Sequence, residues 1–211
     1  MDVMQLRRNL LMQEVGGGLP SAYQQIEYLE STGTQAILTD IPCQLPIQTD
    51  IDIMFVGSQD SYFCGTMYGD IRICQCGNYT SNVQWAFITY KNTPSISVNT
   101  RYLLSAQLEN GYQKISRDGT TLGTYVLSLN QNQLNAMTGK IALFAMRLND
   151  TQAFGQFAKA RCYDMKVQNT SGLIGHFVPC IRKSDSKPGM YDTVSKTFYT
   201  NAGTGEFVIP T

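Results

Sequence analysis

From Tyr23 onward the apolar positions of this chain recur every second residue, in short runs separated by Gly, Pro, Asn and Asp. Period two with that punctuation predicts β-strands. Runs fall at 26–30 and 35–38 around a Ser31-Thr32-Gly33-Thr34 turn, then at 49–56, 62–64, 71–74 and 83–90. In 49–56, Ile51, Ile53 and Phe55 share one face, and Asp50, Asp52 and Met54 share the other. Pro42 and Pro46 mark a loop just before this run. Residues 101–108 meet 112–116 across Glu109-Asn110-Gly111, whose Asn-Gly pair signals a hairpin. Asp118-Gly119 turns the chain again before 120–129, and long strands are expected at 140–145 and 157–167. Regularly spaced short strands of this kind predict an all-β, two-sheet antiparallel sandwich.

The one helical stretch precedes the strands. Val3, Leu6 and Leu10 form a stripe at residues 2–14, with Met4 and Leu11 beside it and Arg7, Arg8, Gln13 and Glu14 elsewhere. So short a helix is marginal alone in water and needs a partner for its stripe. Gly16-Gly17-Gly18 uncouples it from the strands downstream. It either folds back on its own sandwich, or docks into a larger assembly or bundles with copies of itself. The second reading is favoured, because a triple glycine fixes a helix poorly to its own domain. The expected organisation is an amphipathic anchor helix at 1–15, a glycine-rich linker at 16–20 and a sandwich at 21–211. Val3, Leu6, Leu10 and Leu11 are the candidate assembly residues.

The segment from His176 to Phe207 alternates apolar pieces with turn chemistry. Pro179 is expected to end a central strand, since proline cannot donate to a ladder. Lys187-Pro188-Gly189 is expected to make a tight reversal. Met190-Tyr191 and Phe198-Tyr199 flank the connector from Asp192 to Lys196, and Asn201 to Gly205 is a second reversal. This segment, FVPC…GMYD…KTFYTNAGTGEF, resembles the closing segment of laminin-G-like (concanavalin A-like) β-sandwich domains found in phages and bacteria of the gut, often among virion structural genes. The opening LPSAYQQIEYLESTGTQ at 19–35 and the ENGYQKISRDG ribbon at 109–119 are similar to that family too. The resemblance implies a jelly-roll sandwich spanning about 19–211. It further implies a virion structural protein: a head fibre, capsid decoration or tail appendage displaying a carbohydrate-binding surface. Such leaders precede the sandwich as attachment segments, so residues 1–15 would contact other virion proteins or build a homotrimer.

Charge narrows the partners. Lys+Arg 16 against Asp+Glu 16 leaves no basic excess to displace counterions, which argues against nucleic-acid or anionic-membrane binding. Residues 1–18 do not have the layout of a signal peptide, so synthesis in a cytoplasm is expected; the resemblance implies a bacterial host and incorporation into a virion. Cys43, Cys64, Cys74, Cys76, Cys162 and Cys180 read as reduced, mostly buried thiols.

Catalytic patterns are sparse. Asp50 and Asp52 share a face, as a glucanase-type carboxylate pair must, but no glutamate follows at the third position, and a solvated outer face is the plainer reading. His176 is the sole histidine, without a Gly-x-Ser-x-Gly elbow, and reads as a strand-end residue bonded to backbone. No catalytic residues, and no resident metal or cofactor, are expected. Calcium, common in laminin-G-like modules, would draw on the loop carboxylates Asp60, Asp70 and Asp150, none with a ligand spacing. A sugar site asks for an aromatic face and planar polar groups. Trp85 with Tyr79 or Tyr90, and Asn82 nearby, supply both types, although Trp85 alternates in phase with Val83 and Phe87 as a core residue would. The expectation is a non-enzymatic virion protein that contacts cell-surface or mucosal glycans; a glucanase-like enzyme or a free-standing lectin or adhesin are the alternatives.

Overall fold

Strand alternation produces sheets with one apolar and one polar face, and the apolar faces of two such sheets meet in a shared core. The computed structural model of the chain describes residues 18–57, 61–68, 71–79, 82–87, 89–95, 97–109, 111–126, 132, 135, 139–148 and 153–210, the side chains of 61, 68 and 71–95 aside. The expected helix at 2–14, with its assembly residues Val3, Leu6, Leu10 and Leu11, lies outside the described residues.

The larger sheet has the order β11 (Thr120–Val126), β10 (Tyr112–Arg117), β9 (Arg101–Glu109), β4 (Ile47–Phe55), β15 (Lys159–Asn169), β16 (Gly172–Arg182), β17 (Lys187–Asp192) and β18 (Thr197–Thr200). Two short strands, β1 (Tyr23–Gln25) and β2 (Leu29–Thr32), join it against β16 and β15. The smaller sheet runs β14 (Phe154–Gly155), β13 (Met146–Leu148), β5 (Ser61–Tyr68), β6 (Ile71–Tyr79), β7 (Asn82–Phe87) and β8 (Thr89–Ser95). In it β12 (Lys140–Leu143) pairs with both β5 and β3 (Ile37–Pro42). Among the described residues, every strand pairing is antiparallel except β5 with β13. This is the all-β sandwich that the alternation predicts. Ile51, Ile53 and Phe55 of β4 are buried with Phe63, Phe144, Met165 and Phe177 in one cluster between the sheets.

Two turn expectations are corrected. β16 does not stop at Pro179 but continues to Arg182. Pro179 is tolerated because its carbonyl, and therefore its missing donor, faces the point where β1 ends: its oxygen accepts from Ile26 N, just beyond the last β1 register pair. The reversal expected at Lys187-Pro188-Gly189 occurs one step earlier, at 183–186, where Ser186 carries the positive φ of 56°. Pro188 and Gly189 lie within β17, opposite Ile181 and Cys180. Gly189 is required there for space, since a Cβ would sit 2.2 Å from the Tyr199 carbonyl oxygen.

Ser31 and Thr32 of the expected turn belong to β2, and the link through residues 33–36 joins strands in different sheets, β2 in the larger and β3 in the smaller. That crossing is held by the other end of the chain. Asn201 Oδ1 accepts from Ala36 N at 3.1 Å and Gly203 N at 2.8 Å, and its Nδ2 donates to Gly205 O at 2.8 Å. Thr204 N donates to Thr34 O at 2.9 Å and Ala202 N to Ala36 O at 2.7 Å. The STGTQ and TNAGTGEF segments therefore act as one structural unit. Asn201→Ala leaves the buried Ala36 amide without its acceptor, and should cost about 2 kcal/mol. The expected result is a melting temperature lower by about 5 °C by calorimetry; an unchanged transition would show that water replaces the side chain without loss.

Candidate functional site

The face of the larger sheet turned away from the core carries a continuous set of polar side chains. It follows from alternation: with Ile47, Ile51 and Ile53 inward, Gln48, Asp50 and Asp52 must point outward. On β9 the inward Leu104, Ala106 and Leu108 leave Arg101, Ser105, Gln107 and Glu109 outward. The registers Gln48↔Gln107 and Gln48↔Gln168 place three glutamines side by side across β9, β4 and β15.

Two carboxylates organise this row. Asp50 Oδ1 accepts from Ser105 Oγ at 2.6 Å, and its Oδ2 accepts from Gln48 Nε2 at 3.0 Å and Gln168 Nε2 at 3.4 Å. Glu109 Oε1 accepts from Gln107 Nε2 at 2.8 Å and from the Tyr112 hydroxyl at 3.0 Å. The bond to Glu109 raises the Tyr112 phenol above its ordinary pKa, so it remains a protonated donor. Two adjoining depressions open over Gln48, Ser105, Gln107, Glu109 and Gln168. One, of about 200 Å³, is lined by Pro46, Gln48, Gln107, Leu108, Glu109, Gln168 and their neighbours. The other, of about 220 Å³, shares Gln48 and Gln107 and extends over Ser105, Lys114, Ser116 and Thr121. Together they form a shallow polar trough across β15, β4, β9, β10 and the start of β11.

Further along the same face the groups are locked to one another. Arg101 clasps Asp52 bidentately, Nε to Oδ1 at 2.7 Å and Nη2 to Oδ2 at 2.8 Å, while its guanidinium stacks 3.6 Å from the Tyr163 ring centroid. Burial opposes the Arg101 charge, but the bonds to Asp52 outweigh it and leave its pKa raised. Arg161 pairs with Glu30 and stacks on Tyr28. His176 lies in mid-strand, not at a strand end, and its ring partners are side chains rather than backbone. Its Nε2–H donates to Asp164 Oδ2 at 2.7 Å, and Nδ1 meets the Thr193 hydroxyl at 3.2 Å.

Hydrolytic chemistry finds little to work with in this arrangement. Asp50 and Asp52 do share the outer face, as expected, but Asp52 is buried rather than solvated, and both its oxygens are spent on Arg101. Of the thiols described, Cys43, Cys64, Cys162 and Cys180 are buried and unlinked. Burial raises Cys162 well above the ordinary thiol range and pushes Cys180 up to about 12, so neither is a thiolate nucleophile at neutral pH. No group of three or more His, Cys, Asp or Glu among the described residues could hold a metal ion. The calcium candidates Asp60, Asp70 and Asp150 lie outside the described residues.

The aromatic site read from the sequence falls on the other sheet. Tyr79 and Asn82 are register partners at the β6–β7 reversal, Trp85 pairs with Cys76 and Lys91, and Tyr90 pairs with Ala86. Their side chains lie outside the described residues. The trough residues Gln48, Gln107, Gln168 and Glu109 are not among the sites expected from the sequence, although each is a polar position in an alternating strand. What was missing was the register that brings three separate strands together.

No family model matches the chain, and no curated protein matches it by sequence. Solved structures do share its fold. A Bacteroides ovatus protein, provisionally described as carbohydrate-binding, superposes with a TM-score of 0.62 at 12% identity over 89% of this chain. The chain spans 60% of that protein's length. A heptameric SAP-like pentraxin from Limulus polyphemus gives 0.49 at 11% identity, over 68% of this chain and 74% of the pentraxin. A sialidase gives 0.44 at 13%, over 64% of this chain and 14% of the enzyme. At these identities the likeness to the Bacteroides protein bears on fold alone, and the two weaker ones carry no argument.

Proposed function

We propose that the protein is a non-catalytic carbohydrate-binding β-sandwich that holds a glycan in the trough over Gln48 and Gln107. The observation that carries this reading is the trough itself: planar amides and hydroxyls, fixed by Asp50 and Glu109, lining adjoining depressions on a rigid sheet. Sugar recognition needs such preset polar groups, because a mobile side chain loses rotamer entropy on binding. The Bacteroides protein of the same fold, itself provisionally described as carbohydrate-binding, supports the reading. The clasped Asp52 and the three donors on Asp50 support the absence of catalysis.

The test compares the wild-type protein with the double variant Gln107→Ala, Gln168→Ala on an array of bacterial, plant and mucosal glycans, followed by calorimetric titration of any hit. Losing two hydrogen bonds of about 1 kcal/mol each should raise Kd by about 30-fold, with the melting temperature little changed. Retention of no glycan by the wild type, or equal binding by the variant, overturns it.

The finer reading is display on a phage particle, as a head fibre, decoration or tail-appendage subunit made in the bacterial cytoplasm. It rests on the resemblance of residues 19–35 and 176–207 to virion-associated sandwiches, and on the apolar stripe of Val3, Leu6, Leu10 and Leu11 ahead of a triple glycine. Removal of residues 1–15 should leave the sandwich folded but convert a trimer to a monomer in light scattering, or abolish incorporation into particles. The same oligomeric state and incorporation after truncation would refute the anchor.

A further inference from the structure

We infer that the trough reads hydrogen-bond donors and is selective for neutral, hydroxyl-rich sugars over uronate or sulfated ones; this rests on the glycan-binding reading above. The two carboxylates set the polarity of everything around them. An ionised carboxylate only accepts, so the amide atom facing Asp50 or Glu109 must be the nitrogen. Gln48, Gln168 and Gln107 are thereby fixed in one sense, each with an N–H spent on a carboxylate and its Oε1 turned away from it. The hydroxyl of Ser105 is spent the same way, at 2.6 Å, so its oxygen has only lone pairs left to offer. Along this row of four side chains one N–H per glutamine remains, against three carbonyl oxygens and one hydroxyl oxygen. The balance of the row, with Lys114 and Asn169 standing at its margins, is acceptor.

The lining charge agrees. The depression between Pro46 and Thr170 contains the carboxylate of Glu109 and neither lysine nor arginine. Recognition of a carboxylate or sulfate ordinarily draws on a guanidinium or ammonium group. Lys114 stands in the neighbouring depression, on β10, and so marks only one end of the trough. A neutral pyranose presents several hydroxyl donors at a spacing that a row of carbonyls can meet. A uronate brings a charge that this depression does nothing to compensate.

The test uses the full chain and two ligand series. In the first, neutral hexasaccharides (gluco-, manno-, xylo- and N-acetylchito-oligomers) are titrated beside hexaguluronate and a heparin hexasaccharide. In the second, the best neutral ligand is compared with its O-methylated form, which keeps its acceptor oxygens and loses its donors. The expected result is binding of at least one neutral series, at least a tenfold weaker response to both polyanions, and at least a tenfold loss on methylation. Gln48→Leu removes the fixed carbonyl and keeps the side chain's bulk; it should weaken neutral-sugar binding at least tenfold, with folding checked by circular dichroism. Polyanion binding that is lost in Gln48→Leu, or equal binding of the methylated ligand, overturns the donor-reading claim and leaves glycan binding standing. Binding of no sugar at all, or binding untouched by Gln48→Leu and by the Gln107→Ala, Gln168→Ala pair, overturns the glycan reading and this inference with it.

Discussion

Replacing Phe144 with alanine is expected to cost about 4 kcal/mol, and replacing it with glycine to cost less. Phe144 is fully buried between the sheets, its ring 5.0 Å from those of both Phe63 and Phe207. Truncation removes this whole three-ring contact and leaves a cavity that rigid strands cannot close. The backbone sets the order of the two variants. Phe144 holds φ at 62°, a left-handed conformation that costs a residue with a Cβ about 1 kcal/mol or more. Alanine keeps that strain after losing the ring; glycine loses both. The usual ranking, in which glycine is the worse substitute, should therefore be inverted by about 1 kcal/mol. Urea unfolding of both variants measures it directly. Equal midpoints, or a less stable glycine variant, would mean that the backbone at 144 relaxes once the ring is gone.

The same residue shows where sequence reading reaches its limit. Residues 141–145 are continuously apolar after Lys140, so 140–145 read as a single strand. In the fold the strand ends at Leu143, and Phe144 turns the chain so that its carbonyl can accept from Ala158 N at 2.8 Å, before β13 begins at Met146. Nothing in a run of apolar letters announces a positive φ at a phenylalanine. The opposite case is β4, where strict alternation placed Ile51 and Ile53 inward and Asp50 and Asp52 outward, as the sheet does. The β9–β10 hairpin was legible from Asn110-Gly111, because only a few residue types fit such a turn. Pro188-Gly189 misled, because glycine is present there to let the Tyr199 carbonyl approach, not to bend the chain. The trough is the strongest case of hidden information. Gln48, Gln107 and Gln168 are far apart in sequence and ordinary singly, and only strand order makes them neighbours. Legibility of the polar face therefore ends at the single strand.

Arg101→Leu should destabilise the fold by about 3 kcal/mol, lowering the melting temperature by about 9 °C, whereas the double variant Arg101→Leu, Asp52→Leu should recover most of the loss. Asp52 is 5% exposed and spends both carboxylate oxygens on the guanidinium. Without Arg101 it is a buried charge with its main partner removed, and that desolvation dominates the cost. Lost stacking on Tyr163 adds about 1 kcal/mol. Replacing both members by leucine removes the charge along with its partner, so the cycle should show a large favourable coupling. An additive cycle would mean that water already reaches Asp52 and that the clasp is only a surface pair. The double variant also separates the two functional readings. A glucanase-type mechanism needs a carboxylate at 52, and turnover would vanish with it. In the binding reading Asp52 fastens β4 to β9, and the glycan contacts lie farther along those strands, at Gln48 and Gln107. A double variant that unfolds near the wild-type temperature and still binds glycan with wild-type Kd is the outcome that a structural clasp requires.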